Sequence, residues 1–456
     1  MTSLWRHAPD QRSRGSTADA IALVRALGVV VPHEAIEGPL QRRARREVAA
    51  PEHHAPVLLE NRALQAFDEA VGPGMAGLGA CVPDAELTTG RIKGPLELGP
   101  AIGEDATQAE RLDRYAQFGL VAAREAIDDA ALKMDREVPH RVGVNVGAGM
   151  GAMTMAEREL TRLYLELKPN RVAPGFIPAV TMNSLGGLIA IAHGAKGPNY
   201  TISTACSSSA HAIGQAMSSI RAAQTDVMVV VGADASITPL VLAGFGTLRA
   251  LSQRYNDEPE RASRPFDRGR DGFVLGEGAG ALILESLAHA RKRRAKIYAE
   301  VAGYAATSEA YNMVIPQEDG VEMATTMAMA LRDARTAPAQ VDYVNAHATS
   351  TVRGDEVEIR GIRRLLKARA NKVLISATKS SIGHTLSAAG CIGAIATTMA
   401  IQSDLVHPTI NYEDPDPECR LPGIAAKPQE RRIKVALVNA FGFGSNNSSL
   451  VLKRYD

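Results

Sequence analysis

NYTISTACSSSAHAIGQAMSSIRAAQTDVMVVV, residues 199–231, holds three successive elements. Asn199 to Thr204 is a β-prone run, Ser207 to Ala223 is an Ala/Ser-rich helical stretch, and Val227 to Val231 is wholly apolar. A strand, a sharp turn, a helix and a strand apolar on both faces describe a parallel sheet covered by helices. The turn carries Cys206. At a helix N-terminus the unpaired N–H groups and the dipole favour an anion, which predicts a lowered thiol pKa and raised nucleophilicity. Ala205 and Ser207 to Ser209 are small and leave a substrate room to reach the sulfur.

The same alternation extends outward. Upstream, a helix is expected over Gln108–Leu132, with Leu112, Tyr115, Phe118, Val121 and Ala122 on its apolar face. A buried strand over Arg141–Ala148 runs into the turn Gly147-Ala148-Gly149-Met150-Gly151. Downstream, strands are expected at Gly278–Glu285, Ile297–Val301, Val341–Asn345 and Val373–Ser376. A nearly all-apolar helix over Ser387–Ile401 follows, then a closing hairpin from Val435–Asn439 and Ser448–Lys453. A helix apolar all round must lie between layers, which predicts an α/β/α/β/α arrangement. No short-period repeat is visible, so any duplication has to be structural.

The first 75 residues read differently. They hold an arginine run (Arg42, Arg43, Arg45, Arg46), the pair His53-His54 and scattered prolines. Their one good helical period is Ala18–Leu27. The expected organisation is therefore a divergent or poorly ordered segment 1–75, an N-terminal half 76–290 and a C-terminal half 291–456.

Composition narrows the function classes. The 456 residues are 45% hydrophobic, 22% charged and 4% aromatic, an ordinary globular make-up long enough for two large domains. Lys and Arg number 51 against 50 Asp and Glu, so no global field points to nucleic acid or an acidic membrane. Cys81, Cys206, Cys391 and Cys419 form no CxxC pair and no zinc spacing, which suits a reducing cytoplasm. No run approaches the roughly 18–20 uninterrupted apolar residues of a membrane span, and the N-terminus lacks the apolar core of a secretory signal.

Three further stretches carry chemistry. Val344-Asn345-Ala346-His347-Ala348-Thr349-Ser350-Thr351, followed by Asp355 and Glu358, places a histidine just past a buried strand. The carboxyl ends of strands are where α/β proteins build sites. Thr378-Lys379-Ser380-Ser381-Ile382-Gly383-His384 also follows a strand and precedes the apolar helix, so Lys379 and His384 can face one cleft. A lysine there can fix a carboxylate such as Glu358, or hold a neighbouring histidine neutral. Phe441-Gly442-Phe443-Gly444-Ser445 allows positive-φ turns and close backbone approach, and an N–H from such a loop can complete an oxyanion hole.

Together and in this order the four stretches resemble the β-ketoacyl-acyl-carrier-protein synthases, nearest the type II elongating enzymes of the thiolase fold. The resemblance runs from about residue 106 to the end. It includes Arg264-Pro265-Phe266-Asp267, Arg270-Asp271-Gly272-Phe273-Val274 and Gly276-Glu277-Gly278-Ala279-Gly280. It implies a five-layer α/β/α/β/α fold of two duplicated halves, with no cofactor and no metal. It implies that Cys206 carries an acyl thioester and that malonyl-carrier protein enters and loses its carboxylate. His347 and His384 would then stabilise the enolate, and the N–H groups of Cys206 and Phe443 the acyl carbonyl. Lys379, paired with Glu358, would order the site. Phe443 resembles the gate, and Met150 a position at the end of the acyl tunnel that would favour medium primers. Arg111 and Arg254 resemble docking positions for an acidic carrier protein, although Glu110 replaces an expected base. A homodimer is implied.

The family's opening strand, which runs into a Thr-Gly-x-Gly turn, has its best counterpart in Ala26–Pro32, which lacks the Thr-Gly. Among related readings, a degradative thiolase would need a second cysteine within 441–447, where none occurs. A non-catalytic partner subunit would lack the nucleophile. A polyketide ketosynthase subunit would use the same four residues.

Overall fold

The computed structural model describes residues 111–164 and 169–456, together with the strands Ala22–Leu27, Val31–Pro32, Glu60–Asn61 and Thr89–Gly90. Ten strands share one hydrogen-bonded sheet. Five belong to the first half: β1 (Ala22–Leu27), β2 (Val142–Gly147), β3 (Asn199–Ile202), β4 (Val227–Asp234) and β5 (Gly278–Ser286). Five belong to the second: β6 (Ala299–Ser308), β7 (Tyr343–Asn345), β8 (Leu374–Ser376), β9 (Val435–Gly442) and β10 (Asn446–Lys453).

The strand order is β3-β2-β4-β5-β1 in one half and β8-β7-β9-β10-β6 in the other. Directions match as well. β2 is parallel to β3 and β4, as β7 is to β8 and β9. β5 is antiparallel to β4 and β1, as β10 is to β9 and β6. The halves are one topology used twice, and β1 joins them by pairing antiparallel with β6.

Helices complete the five layers. α1 (Arg114–Asp129) and α2 (Ser184–His193) cover the outer face of the first half. α3 (Ser208–Arg221) and α6 (Ala389–Ser403) lie between the halves. α4 (Val321–Asp333) and α5 (Val352–Leu366) cover the outer face of the second. β4 shows why its run is unbroken: Val227, Val229 and Val231 enter the outer core, whereas Met228 and Val230 enter the central one. Small residues let the two central helices meet. A Cβ added at Gly390 of α6 would stand 2.7 Å from the backbone nitrogen of Ala210 in α3, and Cys391 N–H donates to Ser209 Oγ (2.8 Å). The segment Leu386–Ser403 is long and apolar enough to cross a membrane, but 83% of it is buried in the protein, so its apolarity serves the central layer.

Two local expectations change. Ala22–Leu27 is a strand rather than the helix its periodicity predicts, because it pairs with β5 on one side and β6 on the other. Long-range pairing outweighs a weak local preference. The opening strand thus begins upstream of Ala26, and Val31–Pro32 instead pairs with Glu60–Asn61. The helix expected from Gln108 begins at Arg114, where Asp113 caps it by accepting from Tyr115 N–H (3.1 Å). The remainder of segment 1–75 lies outside the described residues, as does Cys81.

Candidate active site

All four chemical stretches emerge at carboxyl ends of strands: Cys206 after β3, His347 after β7, Lys379 and His384 after β8, and Phe443 after β9. The sheet turns these ends toward one cavity of about 310 Å³, lined by Cys206, Phe245, Phe273, His347, His384 and Phe443 among others. Residues far apart in sequence thus share one reaction volume.

Cys206 sits at the turn into α3. Ala205 before it has φ 51°, a left-handed conformation that is strained for a residue with a Cβ. The turn is held by Ser208 Oγ, which accepts from Thr204 N–H (2.9 Å) and donates to Ala205 O (2.6 Å). The backbone N–H groups of Phe443 and of Cys206 itself favour negative charge on the sulfur. The expected low thiol pKa is not found. Burial pushes the thiol up to about 11, against the opposing pull of Lys379 and the two N–H groups. Removing solvent from the thiolate outweighs the favourable field around it.

His347 and His384 lie with ring centroids 5.5 Å apart, edge to face. Burial and the nearby Lys379 hold both well below the usual histidine range, so both are neutral and able to donate from an N–H. Neither buried Nδ1 has a partner among the described residues. Phe273 packs against His384 (5.4 Å) and Phe441 against His347 (5.8 Å).

The expected pairing of Glu358 with Lys379 takes a different form, with no direct ion pair between them. Glu358 instead accepts from His347 N–H (2.8 Å), Ala348 N–H (2.7 Å) and the Asn439 amide (3.0 Å). It therefore braces the His347 loop. Burial pushes its carboxyl up, and those donors with Lys379 oppose the shift. Lys379 is buried, which lowers it to about 8, and it feels Glu358, Cys206 and Asp355 across space.

The glycine-rich block of residues 264–280 acts as a clamp. His384 N–H donates to Val274 O (2.7 Å) and Gly276 N–H to His384 O (3.0 Å). Gly383 adopts φ +69°, and a Cβ there would come within 2.9 Å of Val274 O. Asp355 accepts from Phe266 N–H (2.9 Å) and Ser350 N–H (3.1 Å), tying the block to the His347 loop. Burial raises Asp355 to about 7, opposed by Arg270.

Other expected residues lie outside this cluster. Met150 does not line the cavity; it is 37% exposed. The backbone N–H of Met150 faces Asp234, whose carboxylate also accepts from Ser236 and Ser387 hydroxyls (2.5 and 2.8 Å). Burial raises Asp234 to about 6. Arg111 and Arg254 are exposed and neither lines the cavity. Arg249 and Arg353 do line it, and both are exposed. They escaped sequence reasoning because nothing local separates them from other surface arginines. Phe245 and the brace Asn439 were also missed. The signal for Asn439 was an amide ending the apolar run Val435–Val438, a local inconsistency of the kind that marks sites.

Comparison with known proteins accords with this geometry. Residues 89–290 match the β-ketoacyl synthase N-terminal domain, and residues 298–413 match its C-terminal domain. The chain is 44% identical over 347 residues to the 3-oxoacyl-[acyl-carrier-protein] synthase 2 of Vibrio harveyi, covering 76% of this chain and 83% of that protein. It is 45% identical over 351 residues to the synthase of the same name from a Synechocystis species, covering 77% and 84%. Among solved structures it resembles a type II polyketide ketosynthase in complex with its acyl-carrier protein (TM-score 0.78, 31% identity, 96% of this chain and all of that one). A β-ketoacyl synthase from Burkholderia phymatum superposes with TM-score 0.74 at 29% identity, covering 83% and 91%.

Proposed function

The chain belongs to the β-ketoacyl synthase family, and from that membership we propose that it elongates fatty acyl chains by decarboxylative condensation of malonyl-carrier protein with an acyl group held on Cys206. The single observation that carries the assignment of roles is the convergence of Cys206, His347 and His384 on one cavity beside the Phe443 N–H.

The chemistry follows in two halves. Cys206 sulfur attacks the acyl thioester carbonyl, the carrier thiolate leaves, and the thiol proton goes with it. Because the thiol rests high, near 11, attack relies on Lys379 and the N–H groups of Cys206 and Phe443 to favour negative charge as it develops. Malonyl thioester then binds, and its C–C bond to the carboxylate breaks, releasing CO₂ and leaving the electron pair as an enolate. His347 and His384, being neutral, donate N–H bonds to the enolate oxygen without themselves needing a proton. The enolate carbon attacks the acyl carbonyl, whose oxygen is held by the same two backbone N–H groups. Collapse expels the Cys206 thiolate, which takes up a proton, and frees the 3-oxoacyl product. Phe443, 6.4 Å from Phe245 by ring centroids, serves as the gate between the two substrates.

The partner is an acyl carrier protein in acyl and malonyl forms. Its acidic surface suits Arg111 and Arg254, and Arg249 and Arg353 at the cavity mouth add to that rim. A homodimer is proposed from β3, the outermost strand of the sheet among the described residues, where Tyr200 is 62% exposed and nearby Ile191 is 82% exposed. An open strand edge with apolar neighbours favours pairing with a second copy. The free Cys206, Cys391 and Cys419 fit a reducing cytoplasm. The halves are taken to divide between residues 290 and 291.

Intact and peptide mass spectrometry after incubation with an acyl-carrier protein tests the proposal. An acyl adduct on Cys206, absent in Cys206→Ala, is expected. A well-folded wild-type protein that forms no adduct would overturn it.

A further inference from the structure

Behind the cavity lies a side-chain network that none of the proposed steps uses. His407 Nδ1 faces the acceptor Pro408 O (3.1 Å), which puts the ring proton on Nδ1 and leaves Nε2 as an acceptor. Nε2 stands 3.1 Å from Thr378 Oγ1, 3.2 Å from Ser376 Oγ and 3.3 Å from Tyr343 Oη. On its other side Thr378 Oγ1 accepts from Asn345 Nδ2 (2.9 Å), which also reaches Gly393 O of α6 (3.3 Å). Tyr343, Asn345, Ser376 and Thr378 are all buried.

Asn345 donates to Thr378 and His407 donates to Pro408, while the Thr378 hydroxyl has two acceptors in reach, His407 Nε2 (3.1 Å) and Asn345 Oδ1 (3.3 Å). Asn345 ends β7 two residues before His347, and Thr378 immediately precedes Lys379. The chain therefore spans the two loops that carry the histidines and the lysine. Ala377 N–H donates to Thr409 Oγ1 (3.0 Å), and Ile410 N–H donates to Ser380 Oγ (3.0 Å). The segment 407–410 thus fastens the Lys379 loop on both sides of Thr378.

We infer that His407 is a positioning residue for the malonyl half-reaction, holding Thr378 against Asn345 so that His347, Lys379 and His384 keep a common geometry. This inference rests on the condensation reading above. Its part in acylation is small, because Cys206 and its N–H partners are set by β3, α3 and the Phe443 turn, and Lys379 acts on the sulfur only through its field, which a small displacement barely changes. A small displacement of groups that must meet a reacting oxygen is costly, on the order of 100-fold per ångström.

The test compares wild type, His407→Leu, His407→Gln and Thr378→Val in two assays with thermal melts alongside. One assay follows acyl transfer to Cys206 by mass spectrometry; the other follows CO₂ release from malonyl-carrier protein by the pre-acylated enzyme. His407→Leu and Thr378→Val are expected to slow CO₂ release by about 10-fold to 100-fold, with acyl transfer within about threefold of wild type. His407→Gln, which keeps an acceptor, is expected to recover most of the loss. Equal losses in both assays, or unchanged CO₂ release in His407→Leu, would overturn the inference. A wild-type protein that acylates but releases no CO₂ would instead defeat the condensation reading itself. If His407→Leu fails to fold, Thr378→Val and His407→Gln decide by the same two ratios.

Discussion

The two halves share a strand order and strand directions yet carry different chemistry at corresponding places. After β3 the first half offers Cys206 at the start of α3; after β8 the second half offers Lys379 and His384 before α6. After β2 comes the Gly149-Met150 turn, and after β7 comes His347. β4 ends on Asp234, which braces a loop, and β9 leads to Phe443, which faces the sulfur. The scaffold is used twice, and the proposed roles divide between its copies: the covalent carrier in one half, the groups for a developing enolate in the other. Corresponding strand ends converge because both halves pack on the same pair of central helices.

The sharpest way to break this division is His347→Ala. Removing a donor aimed at developing charge costs about 10²–10³-fold in the step that uses it. Condensation should fall by that amount while acyl transfer to Cys206, read by mass spectrometry, remains near wild type. Equal losses in the two would show that the halves do not divide the work.

A packing change probes the seam. Gly390→Ala would drive a methyl group into the Ala210 backbone and side chain, 2.7 and 2.8 Å away. Overpacking of this kind costs about 1–3 kcal/mol, so the melting temperature should drop. Since α3 starts beside Cys206, acylation should suffer along with stability.

The smallest expected effect concerns charge passing from one half to the other. Lys379, set near 8, is cationic below that pH and pulls the Cys206 thiol down from where burial alone would leave it. Lys379→Met removes the cation, so the thiol rises further and less thiolate exists at any given pH. Alkylation of Cys206 by iodoacetamide at pH 7 should slow by roughly tenfold, with its pH profile displaced upward. The difference should shrink above pH 8, where the wild-type lysine loses its own charge. A profile that does not move would mean that Lys379 does not act on the sulfur.

Legibility in the sequence was uneven for physical reasons. The wholly apolar run 227–231 announced a strand covered on both faces, and β4 is buried along its whole length. The all-apolar stretch before Ser403 announced a helix between layers, and α6 lies there. Ala22–Leu27 could not be read, because its amphipathic spacing fits a helix while its partners lie over 250 residues away. Glu358 was singled out, but its contacts could not be known: its donors come from the His347 loop and from Asn439, 81 positions on. The thiol pKa was misread because a helix N-terminus is a local feature, whereas desolvation depends on everything packed around the sulfur.

By itself the sequence determined which segments become strands and helices around the site, because period and composition act over a few residues. It determined the reactive groups too, because a thiol, two imidazoles and an ammonium are fixed by residue type. Only the tertiary structure decided that they meet, that both imidazoles are neutral, and that Glu358 braces a loop instead of pairing with Lys379. It also placed Met150, Arg111 and Arg254 outside the cavity lining and Arg249 and Arg353 within it. Distances, burial and fields are properties of the packed chain, and no local stretch contains them.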